Sequence, residues 1–182
     1  MQPISELITV IRDCEAILIP SGDPIKLIEG THVRITQALG GDYTLFVNGN
    51  LVKISGKDAD AIGKEYVEEK NQPVTDVTKP LNEEDVWEQL RTVYDPEIPV
   101  NIVELGLVYD LQIKKEESGY IVNVKMTLTA PGCGMGPVIA QDAEMKIRNI
   151  SSVKDVLVEI VWEPLWDRDM MSDEAKLQLG MM

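Results

Sequence analysis

Two cysteines, one histidine and one phenylalanine are all that this 182-residue chain has of those types. Two thiols far apart in sequence make no disulfide framework. They also fall short of the four thiolates that a closed cluster takes, or the four ligands of a structural zinc site. Cys-x-x-Cys, His-x-x-x-His, the Walker-type Gly-x-x-x-x-Gly-Lys loop and Gly-x-Gly-x-x-Gly are all missing, so the common zinc, nucleotide and dinucleotide motifs are excluded. Positive charge is scarce too: 17 lysines and arginines stand against 31 acidic residues, a formal net charge of −14. Residues 1–80 carry 8 basic and 12 acidic side chains, and residues 81–182 carry 9 and 19. Neither half offers the basic face that nucleic acid needs or the lysine and arginine clusters that favour an anionic membrane. The acidity reads first as a solubility feature. Apolar runs are too short to span a bilayer, and the opening residues lack the basic and apolar regions of a signal peptide. The expectation is a soluble protein of a reducing cytoplasm.

What the chain does have is 44% hydrophobic residues in short, punctuated stretches, enough to bury a core. Residues 15–19, 31–37, 43–48 and 51–55 read as strands. Between them lie Pro20-Ser21-Gly22-Asp23-Pro24, Gly40-Gly41-Asp42 and Asn48-Gly49-Asn50, the last two close enough to make hairpins. The pattern predicts a small curled sheet or barrel, closed by a helical turn over 58–63. Over 65–81 it lapses into Glu/Lys, Asn-Gln-Pro and Lys-Pro, which reads as a linker with a domain boundary near residue 75. Residues 1–75 are then a small β-rich domain, and 76–182 a second one.

The second domain opens with Asn82 as a helix N-cap, followed by Glu83, Glu84 and Asp85 in the first turn. Val86, Leu90 and Val93 mark one helical face, and Asp95-Pro96 is expected to stop the helix. Residues 107–113 and 120–128 make a hairpin across 114–119. Ile139, Ala143, Ile147 and Ile150 recur at helical spacing, and 153–162 alternates as a strand, with Val156, Val158, Ile160 and Trp162 on one face. The order α-β-β-α-β predicts helices on one side of a small sheet, and the whole chain an α+β protein. If the last two strands are parallel neighbours, their crossover is right-handed.

Cys133 stands out within Thr129-Ala130-Pro131-Gly132-Cys133-Gly134-Met135-Gly136-Pro137, a tight turn between the predicted strand and helix. Three glycines in five residues allow positive φ and close approach to a ligand. Pro137 fits a first helical position, and a thiol just ahead of a helix start is favoured as thiolate. We read it as a working thiol in preference to a buried structural cysteine, because a glycine-rich loop is a poor place to bury a side chain. Asp95 and Glu97 straddle Pro96, and Pro96 and Pro99 would hold both carboxylates in one orientation; Asp-Pro-Glu is equally a common turn composition. Thr129 lends the loop a hydroxyl or bonds the turn backbone. His32 reads as an exposed strand residue, which weakens a Cys-His nucleophile pair, and Cys14 as a buried one. Trp162, Trp166, Met170 and Met171, ahead of a short helix capped by Ser172 and ended by Gly180, form a packing flap over a sheet edge or a partner surface, the flap being preferred.

Residues 83–162 resemble the small domain of iron–sulfur assembly factors of the SufT, PaaD and eukaryotic cytosolic targeting kind. The pieces that carry it are Asp95-Pro96-Glu97-Ile98-Pro99, Glu104-Leu105-Gly106-Leu107-Val108-Tyr109 and Thr129-Ala130-Pro131-Gly132-Cys133. Arg12-Asp13-Cys14-Glu15-Ala16, Gly56-Lys57-Asp58-Ala59-Asp60-Ala61 and the tail from Trp162 to Ala175 resemble SufT proteins in particular, so the likeness runs over nearly the whole chain. The resemblance implies a non-enzymatic accessory that delivers or inserts iron–sulfur clusters, with Cys133 as the metal- or cluster-binding residue and Asp95, Glu97 and Thr129 in support. It implies a transient cluster or iron as cargo, and partners among the assembly machinery and client apo-proteins; with two cysteines in all, any cluster must be shared with a second copy of the chain, an external thiol or a client. Some relatives carry a second hydroxyl after the threonine; Ala130 stands there, so that role does not carry over. The alternatives are an adaptor without cluster contact, a PaaD-like maturation factor for a metal-dependent oxygenase, and a thiol enzyme.

Overall fold

Side chains along residues 32–35 alternate strictly, His32 and Arg34 facing solvent while Val33 and Ile35 are sealed. That period of two recurs through the N-terminal part of the computed structural model, which describes residues 6–66 and 80–181. The strands are β1 (Glu6–Thr9), β2 (Cys14–Ile19), β3 (Pro24–Leu27), β4 (His32–Leu39), β5 (Asp42–Val47) and β6 (Asn50–Ile54). They form one sheet in the order β1-β4-β5-β6-β2-β3, with every neighbouring pair antiparallel. Cys14, Ala16, Leu27, Val33, Ile35, Leu45, Val47, Val52 and Ile54 meet in a single core cluster. Side chains from so many strands reach one cluster only if the sheet curls around it. A 3-10 helix, Gly56–Ile62, follows and adds Ala61 and Ile62 to that core.

Two strands escape sequence reading, and both lie at the sheet edges. β1 is four residues long with no buried residue, so it shows no alternation. β3 begins at Pro24, which suits an edge because proline cannot donate to a further neighbour.

The chain divides into two compact units, Met1–Lys70 with Pro96–Pro99, and Asn71–Asp95 with Val100–Met182. The expected boundary near residue 75, with most of the linker read over 65–81, lies outside the described residues. In the first unit Thr44, 5% exposed, donates its hydroxyl to the Pro96 carbonyl at 3.3 Å.

In the second unit α1 (Glu83–Leu90) starts with the Asp85 carboxylate accepting the Asn82 N–H at 3.0 Å. It buries Val86 and Leu90 completely. The helix ends at Leu90, ahead of the expected stop at Asp95-Pro96, because Thr92 turns its hydroxyl onto the Gln89 carbonyl (2.7 Å) and Tyr94 bridges to Asn101. Then come β7 (Val108–Glu116), β8 (Gly119–Met126), α2 (Gly136–Arg148) and β9 (Val153–Ile160). The sheet runs β7-β8-β9, the first pair antiparallel across a two-residue turn and the second parallel. A parallel pair needs a crossover, and α2 supplies it. Ile139, Ala143 and Ile147 on α2 are buried, as are Val122, Val124, Met126 and Val156 on the sheet. At ~1.5–3 kcal/mol for each large aliphatic side chain, this layer is the main stabilisation of the unit. Trp162, read as the end of the last strand on the face of Val156, Val158 and Ile160, lies two residues beyond the end of β9 and is 40% exposed.

Candidate thiol site at the end of the second sheet

The last hydrogen bonds of β8 set where the loop begins. Thr127 donates its N–H to the Leu107 carbonyl at 2.7 Å, and the Met126 carbonyl accepts the Val161 N–H at 2.8 Å. The loop base is therefore tied on both sides, by the segment entering β7 and the segment leaving β9. Leu128 is buried against the first residue of α2: a Cβ on Gly136 would stand 2.5 Å from Leu128 Cδ1. That close approach explains a glycine at this helix start. Of Gly132, Gly134 and Gly136, Gly132 alone takes positive φ (78°). Pro137 is the second helical residue, one later than expected.

Between these anchors the loop carries Thr129 half-buried, Ala130, Pro131 and Gly132 exposed, and Cys133 half-buried with a free thiol. The Cys133 carbonyl accepts the Gly136 N–H at 3.1 Å. Beneath the loop, Thr127 is 1% exposed and its hydroxyl finds no hydrogen-bond partner among the described residues. A buried unpaired hydroxyl costs about 1–3 kcal/mol.

The two carboxylates have different surroundings. Asp95 is 7% exposed and belongs to the second unit, whereas Glu97 is exposed and groups with the first. His32 is exposed on β4 of the first unit, its Nδ1 3.1 Å from the Thr9 hydroxyl. Cys14 is buried in the first core, where desolvation and then the Asp58 carboxylate push its thiol above the ordinary range. Among the described residues no three His, Cys, Asp or Glu side chains converge on a point that would hold a metal ion. Thr129 and Cys133 share one loop of the second unit, and that loop opens at the carboxyl end of β8.

The segment after β9 packs as a flap. Trp166 donates its indole N–H to the Leu105 carbonyl (2.8 Å), Ser172 its N–H to the Glu104 carbonyl (2.9 Å), and Tyr109 its hydroxyl to the Pro164 carbonyl (2.9 Å). Gly106, at φ 71°, lies under the Met170 carbonyl, 2.2 Å from where a Cβ would be. Met171 and Ala175 are buried, while Leu165 and Leu177 face solvent. The glycine's role was invisible in sequence, because the backbone that needs the space lies more than sixty residues on.

A family model described as "Iron-sulfur cluster assembly protein" matches residues 83–160. An Fe-S protein maturation auxiliary factor of Porphyromonas gingivalis is 48% identical over 100 residues, covering 55% of this chain and 92% of that protein. The chain belongs to the iron–sulfur cluster assembly protein family. Another relative in this assembly family, the maturation auxiliary factor SufT of Staphylococcus aureus, is 44% identical over 88 residues, 48% of this chain and 97% of its own. The crystal structure of a domain of unknown function from Bacillus anthracis is 37% identical, covering 55% of this chain and 92% of that one, with a TM-score of 0.49. The Porphyromonas gingivalis and Staphylococcus aureus relatives are both described as Fe-S protein maturation auxiliary factors. The iron–sulfur assembly match takes in Asp95, Glu97, Thr129 and Cys133; it begins at residue 83, so the likeness read over 12–61 stands on its motifs alone. No helix among the described residues is long and apolar enough to cross a membrane.

Proposed function

We propose that this protein assists the delivery or insertion of iron–sulfur clusters into cytoplasmic client proteins, as an accessory and not an enzyme, through the thiol of Cys133. The observation that carries this reading is the half-buried free thiol in a loop whose base is tied on two sides, inside the stretch matched by the iron–sulfur assembly family. Cluster or iron is cargo here. One thiolate is a single ligand, so the remaining ligands come from the client, a second copy or an external thiol while the cargo is in transit. Thr129 shapes the loop. Asp95, low in exposure, and Glu97, exposed, supply carboxylates from the one Asp-Pro-Glu stretch, either to tune the thiol or to contact iron.

Cys133→Ala removes one half-buried side chain from a loop, so stability changes by less than about 1 kcal/mol. Cells carrying it should lose activity of cluster-dependent enzymes, and oxygen-free purification with iron and sulfide should give wild-type protein visible absorbance that the variant lacks. Full client activity with the variant refutes the reading.

A second reading, an adaptor that binds assembly machinery without touching cargo, is supported by the outward Trp162, Leu165 and Leu177, 40%, 67% and 68% exposed. Partners that co-purify without iron, unaffected by Cys133→Ala, favour it.

A further inference from the structure

We infer that residues 164–172 act as a strap that sets the position of the Cys133 loop, with Trp166 as a positioning residue working through the turn at residues 104–107. The inference deepens the delivery reading and rests on it for its purpose, not for its geometry.

The turn is a bracket with two sides. Asn101 holds it together, its side-chain oxygen accepting the Val103 and Glu104 N–H groups at 3.0 Å each. The Leu107 N–H adds a 3.0 Å bond to the Ile102 carbonyl. Ile102, Leu105 and Leu107 are fully buried, so the turn is rigid by packing as well. Its carbonyls then divide their work. Those of Glu104 and Leu105 accept Ser172 and Trp166 of the strap, and that of Leu107 accepts Thr127 at the loop base. The Met170 carbonyl over Gly106 fits only because no Cβ is there.

The loop base does not hold itself. Thr127 keeps its hydroxyl buried and unpaired in this arrangement, a bias towards leaving it. What opposes that bias is a pair of backbone bonds, the Val161 N–H to the Met126 carbonyl and the Thr127 N–H to the Leu107 carbonyl, the second on a turn that the strap clamps from the other side. A displaced strap frees the turn and lets the loop carrying Cys133 lift.

Two single variants of the full chain test this. Trp166→Phe keeps an aromatic ring, smaller than the indole, and removes the N–H donor; Gly106→Ala drives a methyl into the Met170 carbonyl. The readouts are amide exchange at Thr127 and in the strap, the alkylation rate of Cys133 by iodoacetamide, and the thermal midpoint. Losing one hydrogen bond of this kind changes an opening equilibrium by about 2- to 10-fold. The expected result is at least about a twofold rise in both Thr127 exchange and Cys133 alkylation, in a protein that still unfolds cooperatively. Should Gly106→Ala not fold, Trp166→Phe decides alone. Unchanged exchange in strap or Thr127, or a loosened Thr127 with an unchanged alkylation rate, overturns the inference. Alkylation needs no cluster, so a strap effect alongside fully active clients in Cys133→Ala would sink the delivery reading and leave the strap standing.

Discussion

At the scale of the residue, the two cysteines divide by environment. Cys133 stands half-exposed in a loop, while Cys14 is 4% exposed among aliphatic groups. Burial, and then Asp58, raise the Cys14 pKa, so the folded state holds the thiol proton more tightly than the unfolded chain does. Stability from this group is present below the unfolded pKa and is lost as pH rises through the folded one. The window is therefore above about pH 9. Cys14→Ala should destabilise by about 1–2 kcal/mol at neutral pH. That gap should narrow as pH rises above about 9, as seen by urea unfolding at each pH. A constant gap would mean that the thiol titrates alike in the folded and unfolded states.

At the scale of the element, α1 shows how little a short helix can rely on itself. Eight residues are too few for a stable isolated helix, so its start depends on the Asp85 bond to the Asn82 N–H and its hold on packing by Val86 and Leu90. Asp85→Ala removes the bond and an acidic group from the first turn, which costs about 0.5–2 kcal/mol. A fall of roughly 4–8 °C in the thermal midpoint per kcal/mol follows for a unit of this size. The loss should appear in the second unit's transition, with amide protection of the first-unit strands unaffected. The same element ended earlier than its proline implied, because a threonine hydroxyl and a strand bridge competed successfully for the chain.

At the scale of the whole molecule, the two units differ in how they are built: one sheet curled around its own core, and one three-stranded sheet covered by helices. Related maturation factors match over 88–100 residues that make up 92–97% of their own length, so a chain about as long as the second unit is a complete protein there. A fragment of residues 80–182 should therefore fold alone, with a single cooperative thermal transition and near-native circular dichroism. The amides of Glu97 and Ile98, in the stretch Pro96–Pro99 that groups in the intact chain with the first unit, should exchange faster than in the full-length protein. A fragment that stays unfolded in dilute buffer would show the second unit dependent on the first.

Much of this was legible in one dimension, for a physical reason. Alternation along β4 and the Ile139-Ala143-Ile147 spacing of α2 are local consequences of which face is buried, and the Gly/Pro turn around Cys133 is local backbone chemistry. β1 buries nothing and β3 only Leu27, so neither edge strand leaves an alternating pattern, which is why they could not be read. The different burial of Asp95 and Glu97, the methyl-free space at Gly106 and the unpaired Thr127 hydroxyl depend on chain segments distant in sequence. The sequence by itself determined most of the elements, the family and the Gly/Pro turn that carries Cys133. Tertiary structure alone decided what holds the loop in place, because those contacts join residues 104–107, 126–127 and 161–172 across long stretches of intervening chain.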